Sequence, residues 1–284
     1  MNRAAKSSRL AVVRRVLLLG LGLALAGGLA LLSCVSFERE LTPAQSALLR
    51  RGEQPAATGV LSTLAAGPAD APRVLLVHGT PGAATDWLDL LLSAPPGLEL
   101  LAVDRPGFGR SQPAGAVTAL SAQSAALVPL LVQRGGRWPI VVGHSLGAPI
   151  ALRLAADHPE RVGGLVLLAG ALDPALEEWQ WFNRVAVAIG PLLSRPLRNS
   201  NAEIRALRRD LEALAPDLAR VSCPVVVVHG RQDSLVPFDN VDYARRMLTG
   251  AADLRVVELP EGDHFLPWNA ADVVREAIAS LAGP

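Results

Sequence analysis

The sequence predicts an α/β protein with a mostly parallel central sheet covered by helices on both faces. Three observations carry that expectation. Short, unbroken apolar runs recur along the chain, and strands that read as continuous apolar runs are buried on both faces, as in parallel sheets. Helix-like stretches separate these runs, which is the alternation that builds strand–helix–strand crossovers. The runs end in glycine-bearing polar loops, at the strand ends where the ligand crevice of such sheets lies. With 284 residues, half of them apolar, the chain can bury one substantial core.

The N-terminus reads differently from the rest. Arg3, Lys6, Arg9, Arg14 and Arg15 precede an apolar run, Val16 to Leu32, followed by Ser33-Cys34. A basic flank followed by an apolar stretch is the layout of an export signal. Leu31-Leu32-Ser33-Cys34 resembles a bacterial lipobox, which would make Cys34 a lipidation site and the mature N-terminus. A retained anchor is the alternative: Val16 to Val35 is 20 residues, about 30 Å as a helix, just long enough to cross a bilayer. Simple cleaved export is the third reading. All three put residues 1–33 in a signal or anchor and the folded part outside the cytoplasm, in the periplasm, on the outer membrane as a lipoprotein, or anchored at the inner membrane.

Residues 34–59 are interrupted by Pro43, Pro55 and Gly59 and read as a tether; one early strand is expected near Val60 to Leu64. The domain proper is expected over 60–284. Within it, strands are expected at Arg73–Val77, Leu98–Val103, Ile140–Val142, Val162–Leu168, Val225–Val228 and Leu254–Leu259. Helices are expected at Asp86–Leu92, Ala119–Gln133, Ala148–Asp157, Val241–Leu248 and Ala271–Leu281. Residues 171–220 break the alternation. They carry no strand signal, two helical segments (Glu177–Ile189 and Ala202–Leu214) and the aromatics Trp179, Trp181 and Phe182, and so read as a helical cap above the sheet edge. The aromatics either line an apolar pocket or pack the cap onto the core.

Charge and cysteine content exclude several function classes. The formal net charge of +1 averages two unlike regions: the first 33 residues carry five basic residues and no acid, which leaves 22 basic against 26 acidic residues in the remainder. No basic patch survives in the folded part, which argues against a nucleic-acid partner. Two cysteines cannot form a disulfide framework, and Cys223, at the start of a strand, reads as a small buried thiol. No metal-ligand cluster or dinucleotide fingerprint is present, so neither a metal nor a cofactor is expected.

The chemistry centres on Gly143-His144-Ser145-Leu146-Gly147, a G-x-S-x-G motif directly after the Ile140 strand and before the Ala148 helix. A nucleophilic serine at the tip of a sharp strand-to-helix turn needs small residues two positions either side, and the helix start behind it offers free N–H groups to developing negative charge. Such a serine needs a base. Of five histidines, His78 and His229 each precede a glycine at a strand end and read as loop-shaping, His144 flanks the serine with its side chain expected to point away, and His158 stands where a helix stops before Pro159. His264, after the last strand, remains as the general base. Its carboxylate partner is expected to be Asp233, in the loop after the Val225 strand, with Asp173 as runner-up. The chain order Ser…Asp…His fits the strand-end layout. Oxyanion donors are expected from the N–H of Leu146 and, since Pro81 has none, from Thr80 in the loop after the Arg73 strand.

Taken together, His-Gly-Thr-Pro-Gly (78–82), Asp-Arg-Pro-Gly-Phe-Gly-Arg-Ser (104–111), Gly-His-Ser-Leu-Gly (143–147), His-Gly-Arg-Gln-Asp (229–233) and Gly-Asp-His (262–264) resemble the α/β-hydrolase superfamily over roughly residues 60–282. The resemblance implies the α/β-hydrolase fold, a serine-nucleophile, esterase-like branch with a helical cap, and an active-site wall shaped by the Asp104 motif. Serine at 145 disfavours the dehalogenase and epoxide-hydrolase branches, which carry aspartate there. The expected activity is cleavage of carboxylic esters through an acyl-enzyme on Ser145, with a small-molecule ester or other acyl compound as substrate and the membrane as N-terminal partner. Acyl transfer, C–C bond hydrolysis and peptide cleavage are alternatives for the same triad. A non-catalytic binding protein on this scaffold is a further one.

Overall fold

The computed structural model describes residues 36–283. The export or anchor segment and Cys34 lie outside the described residues. Eight strands form one sheet in the order β1-β2-β4-β3-β5-β6-β7-β8. They span Arg50–Ala56 (β1), Gly59–Ala66 (β2), Arg73–Val77 (β3), Glu99–Val103 (β4), Ile140–His144 (β5), Gly164–Leu168 (β6), Val225–Gly230 (β7) and Leu254–Leu259 (β8). From β4 to β8 all pairings are parallel, whereas β2 runs antiparallel to both β1 and β4. This is the α/β-hydrolase fold.

The apolar runs are strands because each can bury both faces. Alternate residues of β3 serve opposite layers: Leu75 and Val77 join one core cluster, Val74 and Leu76 the other. Helices cover both sides. They are α1 (Pro43–Leu48), α2 (Leu88–Leu92), α3 (Leu120–Leu127), α4 (Gly147–Asp157), α5 (Trp181–Ala188), α6 (Arg195–Leu214), α7 (Asp239–Met247), α8 (Leu266–Asn269) and α9 (Ala271–Ala282). Leu152 and Leu154 of α4 pack into the first cluster, and Val274 and Ile278 of α9 into the second. The chain steps from β3 outward to β4 and then back across to β5, so the order reverses at β3. The crevice at that switch point lies between the ends of β3 and β5.

Several expectations need correction. Residues 34–59 are not a tether: they contain α1 and the edge strand β1, which pairs along its whole length with β2 from Arg50↔Ala65 to Ala56↔Gly59. Pro55 is tolerated because an edge strand can leave its outer side unpaired. The sheet therefore begins at Arg50, ahead of the expected boundary at 60. The helix expected over Ala119–Gln133 stops as an α-helix at Leu127 and passes into a 3₁₀ turn, Val128–Leu130, at Pro129, which has no N–H to continue the ladder.

In the interval 171–220 no strand occurs, and α6 begins at Arg195, seven residues before its expected start, with Pro196 in its first turn. Its buried face is partly polar, with Asn199, Asn201 and Glu203 beside Leu207, Leu211 and Leu214. Asn199 Nδ2 donates to the carbonyls of Gly107 and Ala114 at 2.7 and 2.9 Å, and Asn201 pairs with Asn183 of α5 at 3.0 Å. For Trp181 and Phe182 both readings of the cap aromatics fail: they are 73% and 53% exposed and line no part of the central cavity, whereas Trp179 packs within the cap, under the Arg205 guanidinium of α6 at 5.4 Å.

Candidate active site

The turn after β5 is forced by close contact. Ser145 sits at φ 53°, in the left-handed region, and its N–H donates to the Leu168 carbonyl at 2.9 Å. A Cβ at position 143 would meet the Gly147 carbonyl oxygen at 2.4 Å, and one at 147 would meet the Val77 oxygen at 2.3 Å. Only glycine fits at both, and the serine is left at the apex where α4 begins. Its side chain is half-buried and makes no hydrogen bond to another described residue.

The structure brings His264 and Asp233 together from loops 31 positions apart: Nδ1 lies 2.7 Å from Oδ2. The other carboxylate oxygen of Asp233 accepts the N–H groups of Leu235 (2.9 Å) and Val236 (2.8 Å). Burial pushes this carboxyl up, but the imidazole and the two backbone donors outweigh it and hold it below the ordinary aspartate value. With Nδ1 committed to Asp233, Nε2 is the nitrogen left to act. His264 and Ser145 open onto one cavity of about 660 Å³, which Thr80 also lines. Asp173 is elsewhere: it caps the turn at Ala175 and faces Arg246 at 3.5 Å.

The other histidines hold the frame. His78 Nδ1 donates to the Gly79 carbonyl at 2.7 Å and Nε2 accepts the Arg105 N–H at 3.0 Å; burial holds the ring neutral, well below the usual histidine value. His229 Nε2 lies 3.0 Å from the Val236 carbonyl and steadies the Asp233 loop. His144 departs from expectation. Its ring lines the cavity, 5.0 Å between centroids from the ring of His264, and its Nε2 lies 2.9 Å from the His264 carbonyl. Burial and the neighbouring His264 push it down to about 3, so it is a neutral donor that fixes the backbone of His264.

The N–H groups of Thr80 and Leu146 donate to no protein acceptor among the described residues. The loop that presents Thr80 is held by a wholly buried ion pair that sequence reasoning missed. Arg105 donates from Nε to the His78 carbonyl (2.9 Å), from Nη2 to the Gly79 carbonyl (2.8 Å) and from Nη1 to Glu203 Oε1 (2.7 Å). Glu203, on α6, also accepts the Thr80 hydroxyl at 2.5 Å and the Gln123 amide. The cap helix thus fixes the loop that presents Thr80. Arg105 stands in the Asp104 motif; nothing local marked Glu203, because its partner lies 98 positions earlier.

Asp86 is a further cavity residue not anticipated. Burial, with Asp104 nearby, pushes its carboxyl up to about 7, against the N–H of Ala83 that it accepts at 3.1 Å. Cys223 is buried, and burial raises its thiol to about 11, which suits an inert position. No group of metal-ligating side chains occurs among the described residues.

A family model described as alpha/beta hydrolase fold matches residues 72–194, which run from β3 into the cap and include Ser145. Over those residues the chain is similar to that family. It is 24% identical to a 2-hydroxy-6-oxononadienedioate/2-hydroxy-6-oxononatrienedioate hydrolase of a Pseudomonas species, over 73% of this chain and 87% of that one. It is 37% identical to lipase LipV of Mycobacterium tuberculosis, over 49% of this chain and 51% of that one. Among solved structures, a membrane phospholipase A, described as a bacterial virulence factor, superposes with a TM-score of 0.63 at 20% identity, covering 95% of this chain and 99% of that one. These superpositions bear on the fold alone.

Proposed function

We propose that the protein is a serine hydrolase that cleaves carboxylic esters through an acyl-enzyme on Ser145. The observation that carries this reading is the 2.7 Å Asp233–His264 bond, aimed at a cavity that the left-handed Ser145 shares with the unpaired Thr80 N–H. Ser145 Oγ attacks the ester carbonyl carbon and its proton passes to Nε2 of His264. Asp233 stabilises the imidazolium and keeps the ring oriented. The carbonyl oxygen, now negative, takes the N–H groups of Thr80 and Leu146, each worth about 3–4 kcal/mol in the transition state. Collapse breaks the C–O bond, and the leaving alkoxide takes the proton from His264. Water then attacks the acyl-enzyme by the same path in reverse roles and releases the acid.

The cavity lining favours esters over the dicarboxylate substrate in the Pseudomonas relative's name. Its walls are Phe37, Leu235, Phe265 and Trp268 with Asp86, and no Arg or Lys stands among its lining residues to meet a carboxylate. Ser145→Ala is expected to abolish turnover of p-nitrophenyl esters and labelling by a fluorophosphonate probe. Near wild-type turnover in that variant would overturn the reading. Labelling of the wild type at Ser145 with no turnover on an ester, amide and lactone panel would point to acyl transfer or C–C cleavage instead. For localisation, the proposal is an extracytoplasmic, membrane-held protein. Mass spectrometry of the membrane fraction distinguishes a chain starting at lipidated Cys34 from one that retains Met1.

A further inference from the structure

From the place of Phe37 and the exposure of the cavity rim, we infer that the mouth of the catalytic cavity faces a lipid bilayer and takes its acyl ester from it. The inference rests on the ester and membrane-held readings above and names the form in which the substrate arrives. Phe37 lines the cavity together with Ser145 and His264. The segment carrying it is strapped to the body: the Arg39 N–H donates to Thr85 Oγ1 at 2.9 Å, and Glu38 pairs with Arg110 at 2.7 Å and Arg51 at 3.4 Å. The first described residues therefore stand at the mouth of the active site, not at a remote face.

What precedes them fixes the distance to a membrane. The apolar run of the sequence ends at Leu32, five residues before Phe37, and Cys34 is three residues before it. A fully extended chain spans about 3.5 Å per residue, so the mouth lies within about 17 Å of the end of the apolar run and about 10 Å of Cys34. The headgroup layer on one side of a bilayer is about 6 Å deep. Whichever of the two holds the chain, lipid or anchor, the mouth cannot stand far from the headgroups.

The rim matches that placement. Leu235 and Phe265 line the cavity yet remain 62% and 48% exposed, large apolar groups turned outward at its edge. Ser36 and Phe37 share a neighbouring cleft with Arg195, whose guanidinium donates to the Gly109 carbonyl. Around the segment Arg39, Arg51 and Arg110 pair with Asp89 and Glu38, with Glu40 exposed beside them, so the surface next to the apolar rim is of mixed charge. An apolar rim on a surface of mixed charge is complementary to an interface with acyl chains beneath a zwitterionic or anionic headgroup layer.

The test uses the full chain reconstituted in phosphatidylcholine vesicles containing phosphatidylglycerol. A nitrobenzoxadiazole fluorophore on Leu235→Cys is compared with one on Asp70→Cys, which is exposed in the loop before β3 at the opposite end of the strands. The unsubstituted chain is labelled in parallel to subtract any signal from Cys34. Headgroup-spin-labelled lipid is expected to quench the probe at 235 and spare the one at 70. Equal behaviour at both positions overturns the inference. So does a blue-shifted probe at 235 that lipid does not quench, since the rim would then be covered by protein, whether a second copy or the N-terminal segment.

In a second arm, a twenty-residue Gly/Ser spacer is inserted between Val35 and Ser36. It is expected to leave turnover of soluble p-nitrophenyl butyrate unchanged and to lower turnover of a vesicle-borne acyl ester about tenfold, as effective concentration falls with tether length. An unchanged vesicle rate also overturns the inference. Failure to cleave the soluble ester at all would sink the ester reading while leaving the quenching result to stand by itself.

Discussion

Removing Glu203 should cost both stability and rate, by different amounts and for separable reasons. Among the described residues its carboxylate is the sole anion on the Arg105 guanidinium, and both side chains are essentially without solvent contact. Glu203→Ala leaves a buried cation facing a cavity, and breaking a buried pair by removing one partner costs about 3–5 kcal/mol. For a folded part of this size a kcal/mol is worth about 2–4 °C, so thermal unfolding should fall by roughly 10 °C. Glu203→Gln keeps the shape and one acceptor oxygen but not the charge, so it should recover only part of that loss. The rate effect runs through the oxyanion loop. Thr80 and the Gly79 carbonyl are both tied to this pair, and loosening a donor that acts only on the tetrahedral state lowers kcat with little change in KM. Loss of one well-placed donor is worth about a hundredfold, so Glu203→Ala should approach that figure in kcat at a temperature where the variant is folded. Thr80→Val removes the hydroxyl but keeps the N–H, and completes a double-mutant cycle: if Glu203 acts through that hydroxyl, the two losses in kcat will not add. A Glu203→Ala variant that unfolds within two or three degrees of wild type and keeps kcat would refute the claim that the cap holds the loop.

The remaining expectations concern single groups. Asp233→Asn preserves an acceptor for the Leu235 and Val236 N–H groups but presents an amide to His264 Nδ1, so kcat should drop about ten-thousandfold with the fold intact by circular dichroism; a loss under tenfold would remove Asp233 from its assigned role. Asp86 has a raised folded-state pKa of about 7 against an unfolded 3.8, so the folded protein binds the extra proton and loses stability as pH climbs between those values. Asp86→Asn should therefore match wild type near pH 3.5, gain on it by up to a few kcal/mol by pH 7, and show a constant advantage above that in urea unfolding. Parallel stability curves for the two proteins across that range would contradict the assignment.

What the sequence disclosed, and what it hid, follows from where each residue buries its surface. Strands β3 to β7 were legible because they are covered on both faces, so most of their positions are apolar and no register had to be guessed; β8, only partly buried, kept enough of the pattern to be read. Strand β1, Arg-Arg-Gly-Glu-Gln-Pro-Ala, has mostly exposed side chains, so it owes its place to backbone pairing with β2 and left no hydrophobic pattern to read. Ser145 stood out in its glycine-flanked motif, His264 was reached by elimination among five histidines and Asp233 by its strand-end loop, and the structure brings the last two into contact. Glu203 could not. A glutamate on an amphipathic helix reads as solvated, and only the fold shows that the polar stripe of α6 faces inward onto Arg105.

The same reasoning separates the two halves of the cap, and with them two kinds of motion. Helix α6 is fastened to the core by Asn199 on the Gly107 and Ala114 carbonyls, by Glu203 on Arg105, and by Asp210, which accepts the Leu120 N–H at 3.2 Å. Its displacement would strand a buried charge and several carbonyls at once, so it cannot serve as a lid that opens in each turnover. Helix α5 has a hydrogen-bonded link to α6 through Asn183 and Asn201 and turns Trp181, Phe182 and Val185 outward. Any cap movement that admits a bulky acyl chain must therefore be carried by α5, with α6 and the oxyanion loop standing still beneath it. Amide hydrogen exchange gives the check: residues 181–188 should exchange far faster than 199–214, and similar protection in both helices would mean that the cap moves, or holds, as one body.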